Sequence, residues 1–114
     1  MYKLLFLSIF ITLSFGRQVC YQTAELYTGV WYKLDTQQVS NTPYLIINFE
    51  SKQQISIVDV LADYVNTYEG IDIYLGFTPK NKQVLIGIDR KHLGTYYITY
   101  DNLHPKEYKC QSIK

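Results

Sequence analysis

The chain is poor in the residues that usually carry chemistry. It has two cysteines, two histidines and one tryptophan in 114 residues. His92 and His104 both fall in predicted turns, and neither sits in a metal-ligand or nucleophile motif. There is no glycine-rich phosphate loop, no H-E-x-x-H, no G-x-S-x-G and no C-x-x-C. The ten acidic residues are scattered and read as solvated surface charge rather than as a paired acid and base. These absences argue against an enzyme and imply neither metal nor cofactor. Nor does either sign of charge dominate, with eleven basic against ten acidic side chains. A basic groove that would hold nucleic acid, or a charged face that would seek anionic lipid, is therefore not expected. No N-x-Ser/Thr glycosylation acceptor occurs.

One long apolar run is present, and only one. Lys3 precedes Leu4 to Phe15, and Ser14 and Gly16 are the small residues of a cleavage site. Residues 1–16 read as a secretory signal peptide, and its apolar core is too short for a membrane anchor in the mature protein. Residues 17–114 then form one domain, secreted or held in the lumen of the secretory pathway. Cys20 and Cys110 lie near its two ends, in what would be an oxidising compartment. A bridge between them would close nearly the whole domain into one loop, worth about 4–5 kcal/mol. Two free buried thiols are the alternative.

The rest reads as β-structure. Val, Ile, Thr, Phe and Tyr dominate, and there are twelve tyrosines. Strands are expected at 29–36, 44–50, 53–61, 69–78, 82–90, 94–101 and 107–111, with turn residues between them. Two segments could be helical or irregular, 21–27 and 59–68. About seven strands imply an all-β, antiparallel sandwich or barrel. Alternation places Leu45, Ile47 and Phe49 on one face, with Ile55 and Ile57 on the next strand. Ile71, Ile73, Leu75 and Phe77 follow on the fourth strand, opposite Asp72, Tyr74 and Gly76, and Ile86 and Ile88 on the fifth. These apolar positions would line the inside, whether as a packed core or as a cavity.

Three features then stand together. Cys20 precedes Gly29-Val30-Trp31-Tyr32, and Thr99-Tyr100-Asp101 precedes Tyr108-Lys109-Cys110. This set resembles the lipocalin family, most closely its apolipoprotein D-like branch. There a cysteine, a G-x-W strand and a T-D-Y sequence are followed by an aromatic-x-Cys. The resemblance implies an up-and-down barrel, a Cys20–Cys110 disulfide and a small hydrophobic ligand (lipid, sterol or pigment) in the interior. Gly29, Trp31, Thr99, Tyr100 and Asp101 would be structural, with Trp31 plugging the closed end. The chain departs from the family in lacking an eighth strand, a terminal helix and an arginine placed to cross Trp31. A seven-stranded sheet would leave its first and last strands open, and a homodimer through those edges would cover them. Residues 36–44 also resemble the first inhibitory hairpin of cystatins, with Asn41 in place of its glycine. That resemblance implies a cysteine-protease inhibitor. A small secreted β domain acting through protein contact is the third reading.

Overall fold

The computed structural model describes residues 16–34 and 43–112. The signal-peptide reading, Gly16 apart, and most of the cystatin-like stretch lie outside those residues. All regular structure among the described residues is β. The strands are β1 (Arg17–Tyr27), β2 (Val30–Lys33), β3 (Tyr44–Phe49), β4 (Gln54–Ile57), β5 (Val60–Tyr68), β6 (Ile71–Phe77), β7 (Gln83–Asp89), β8 (Thr95–Tyr100) and β9 (Lys106–Ser112).

Each strand from β3 to β8 pairs antiparallel with the next, and β1 pairs with both β3 and β9. Eight strands thus close an up-and-down barrel, and β2 is a ninth strand added beside β1. Closure removes the two open edges expected of a seven-stranded sheet; the strand left at an edge is β2. Both segments that could have been helical are strands. Residues 21–27 belong to β1, and the single strand expected over 53–61 is a hairpin whose second arm, β5, takes up all of 59–68 but the turn residue Asp59. Alanine, glutamate and aspartate in these segments lower β-propensity, but pairing on both sides overrides it.

Short turns set the register. Thr28-Gly29 and Glu69-Gly70 both have positive φ (49° and 80°, 51° and 81°), the backbone that matches the twist of two paired strands. Turns at 50–53, 69–70 and 90–94 form one end of the barrel, the Leu93 end. Turns at 58–59, 78–82 and 101–105 form the other, the Val58 end.

Two bulges bend the wall. In β1, Gln22 lies opposite Tyr108, whereas Ala24 lies opposite Glu107, one face over. Thr23 is the extra residue, and its Oγ1 donates to Glu107 Oε1 at 2.8 Å. Cys20 and Gln22 therefore face inward, while Leu26, beyond the bulge, faces outward with its partner Trp31. A second bulge lies between Tyr64 and Asn66 in β5.

The core is Cys20, Ile47, Ile55, Ile57, Val60, Ala62, Tyr74, Val84, Ile86, Tyr96, Ile98 and Tyr108, with Leu45, Phe49, Tyr64, Ile88 and Tyr100 packed against it. Cys20 and Cys110 are direct cross-strand partners and form a disulfide between β1 and β9. Gly76 faces this core where β6 meets β5: a Cβ there would lie 2.7 Å from the Leu61 carbonyl oxygen and 2.8 Å from Val60 Cγ1. Backbone cannot yield as a side-chain tip can. Gly76→Ala is therefore expected to lower unfolding free energy by about 1–3 kcal/mol in urea titration.

Candidate binding site

The interior positions expected to line a pocket divide into two groups. Leu45, Ile47, Phe49, Ile55, Ile57, Ile86 and Ile88 do converge inside the barrel. Side chains fill the space between them. Tyr74, Tyr96 and Tyr108 enter the interior and are at most 6% exposed. Phe49 packs edge-on against Tyr96 (6.3 Å between ring centres), and Tyr64 against Tyr74 (5.6 Å). Two of these hydroxyls find partners at the Leu93 end. Tyr96 donates to Gln18 Oε1 (2.9 Å), and Tyr74 to the Lys52 carbonyl (3.0 Å). Burial pushes the Tyr96 hydroxyl far above its ordinary value and that of Tyr108 up to about 12. The phenols of Tyr74 and Tyr96 thus pack with their polar tips satisfied.

The second group lies elsewhere. On β6 the inward residues are Tyr74 and Gly76, so Ile71, Ile73, Leu75 and Phe77 occupy the outer wall, and Phe77 is half exposed. The expected facing of this strand is reversed. Its register decides the matter: Tyr74 lies opposite Tyr64 on one side and Ile86 on the other, both interior residues.

On that outer wall is a groove of about 430 Å³. Its floor is Ile71 and Ile73 of β6, Leu85 and Gly87 of β7, and Tyr97 and Thr99 of β8; Leu26, Trp31 and Pro105 rise beside it. The β1 bulge is what turns Leu26 and Trp31 this way. Gly87 keeps the floor low, since a Cβ there would meet Ile71 Cγ2 at 2.9 Å. None of the residues lining the groove is charged.

Trp31 is therefore not a plug at a closed end. It stands outside the barrel, 40% exposed, with its indole 5.6 Å from the Tyr97 ring. Tyr97, not an arginine, is what packs against it. Arg17 hydrogen-bonds Asn48 and Arg90 pairs with Asp72. Of the other motif residues, Gly29 forms the β1–β2 turn, Thr99 lines the groove and Tyr100 packs on the core. Asp101 sits in a turn 3.5 Å from Lys82.

Tyr97 is held from behind. Its hydroxyl donates to Asp89 Oδ2 at 3.4 Å, and His92 Nδ1 lies 3.0 Å from the same oxygen. Asp89 Oδ1 accepts the backbone N–H groups of Lys91 and His92. Burial works to raise the Asp89 carboxyl, but the bonds from the His92 ring and the two N–H groups outweigh it and hold it below the usual range. Tyr97 is shifted upward, first by burial and then by the Asp89 charge. His104 packs against Tyr27 with the rings tilted and their centres 4.1 Å apart. Among the described residues no group of three or more His, Cys, Asp or Glu could hold a metal ion.

Sequence reasoning missed Tyr97, Leu26, Leu85 and Gly87. The one available signal was Gly87 within an otherwise apolar strand. No family model, no curated protein and no solved structure matches the chain.

Proposed function

We propose that the protein is a secreted, lipocalin-like barrel that binds a small, uncharged hydrophobic molecule without catalysis. The seat of that ligand is the outer groove against Trp31. The observation that carries this reading is an uncharged apolar hollow walled by a partly exposed indole and Tyr97. Its volume falls within the range of small-molecule sites, about 300–1,000 Å³. The packed tyrosines of the interior favour the wall over the barrel axis, and a neutral lining favours a neutral guest.

Titration with the uncharged probe N-phenyl-1-naphthylamine tests it. Saturable quenching of Trp31 emission is expected at micromolar protein. Trp31→Ala, followed by probe fluorescence, should weaken binding about tenfold or more, the loss of one buried aromatic contact. Ile57→Val, in the core, should leave affinity unchanged. Absence of saturable binding, or equal affinity in Trp31→Ala, rejects the groove as the seat.

A second reading rests on β2. All four of its residues are exposed, and among the described residues it pairs with β1 alone. A free edge of this kind suits protein contact, including a second copy. Concentration-dependent dimerisation in sedimentation, abolished by Tyr32→Pro, would favour it.

A further inference from the structure

The two ends of the barrel differ in what their turns expose. At the Leu93 end the 50–53 and 69–70 turns carry only Glu, Ser, Lys, Gln and Gly; the exposed large apolar or aromatic residues there are Leu93 (92%) and Tyr68, which ends β5. At the Val58 end the 58–59 turn presents Val58, 81% exposed, and the 101–105 turn presents Leu103, 63% exposed. Tyr44, which begins β3 there, and Phe77, which ends β6 there, are exposed by half or more.

Val58 is out of keeping with its turn. Its φ is 51°, in the left-handed region, where a β-branched side chain is strained and Asn, Asp or Gly is favoured. Folding alone would place a polar residue at such a position. The turns around it are neighbours. Val58, Pro79, Lys80 and Tyr100 border one cleft of about 450 Å³, and Lys82 links the 78–82 turn to Asp101.

We propose that the Val58 end docks on the surface of a lipid bilayer, with Val58 and Leu103 inserted. Val58 and Leu103, the two tips, stand on different turns rather than on one strand face. A flat protein interface needs a continuous dry core, whereas a fluid bilayer accepts separate apolar tips. Tyr44 beside those tips suits the interfacial layer, where aromatic rings with a polar end concentrate. Lys80, next to Val58, meets lipid phosphate. The balanced charge of the chain supplies no general pull toward anionic lipid, so attachment rests mainly on apolar burial. Zwitterionic membranes are then sufficient.

Flotation of the purified protein with phosphatidylcholine vesicles, with and without phosphatidylserine, tests this. The protein should float with both, and phosphatidylserine should change the bound fraction by no more than about twofold. Val58→Asp together with Leu103→Asp should lower vesicle binding about tenfold, with no fall in melting temperature, because aspartate tolerates the turn at 58. Leu93→Asp makes the same chemical change at the opposite end and should have no effect. Failure of the protein to float, or equal loss in Leu93→Asp, overturns the proposal. Binding seen only with phosphatidylserine and removed by salt also overturns it.

Discussion

Replacing both cysteines, Cys20→Ala with Cys110→Ala, should cost about 4–5 kcal/mol of unfolding free energy. The bridge joins residues 90 apart in sequence and spans all of the barrel's intervening strands. Cutting it lets the denatured chain regain nearly the whole entropy of a free coil, and that gain grows with the logarithm of loop length. A native domain of this size holds only about 5–15 kcal/mol in total, so the double variant should sit near the edge of folding at 37 °C. The site of the bridge adds to the effect. Cys20 and Cys110 face each other across the β1–β9 seam, the pairing that turns an eight-stranded sheet into a closed barrel. Urea denaturation of the oxidised protein and of the variant measures the difference. A loss below about 1 kcal/mol would mean that the seam's hydrogen bonds and core contacts hold the closure by themselves.

The second large effect concerns β6. Tyr74→Ala should destabilise by about 3–5 kcal/mol, whereas Phe77→Ala, three residues on, should cost under about 1 kcal/mol. Tyr74 is 5% exposed, packs edge-on against Tyr64 and gives its hydroxyl to the Lys52 carbonyl. Its truncation leaves a ring-sized cavity and an unpaired carbonyl at the barrel's end. Phe77 is 50% exposed and leaves neither. The two substitutions separate the two facings of the strand, because the reverse facing makes Phe77 the costly residue. Equal costs would mean that β6 has no single register.

That strand shows how far patterning reaches. Ile71, Ile73, Leu75 and Phe77 alternate as a buried face should, and the other face carries Asp72 and Gly76. Yet the interior takes the Asp72, Tyr74 and Gly76 phase. A strand with apolar residues on one face and a tyrosine on the other can satisfy either facing when both sides of the sheet find cover. Here Ile71 and Ile73 are half-buried on the floor of the groove that Leu26 and Trp31 flank. That flank stands there because one extra residue at Thr23 turns the end of β1 outward. A one-residue bulge leaves no trace in hydropathy, so the groove could not be read from the chain.

Other features were legible. β3, β4 and β7 show their inner faces directly, since Leu45, Ile47, Phe49, Ile55, Ile57, Ile86 and Ile88 have no competing apolar phase opposite them strong enough to reverse it. The all-β class, the antiparallel order and most strand positions follow from short apolar runs punctuated by turn residues, because those signals are local. With two cysteines the sequence offers one intramolecular pair, and the structure decides between a bridge and two free thiols in favour of the bridge. Decided by tertiary structure alone were the closure of β1 on β9, the strand character of residues 21–27 and 60–68, the filling of the interior by tyrosine, and the position of Trp31 on the outer wall. Each depends on which strand lies beside which, and at what offset. Contacts between residues far apart in sequence set that offset, and no short window of the chain contains them.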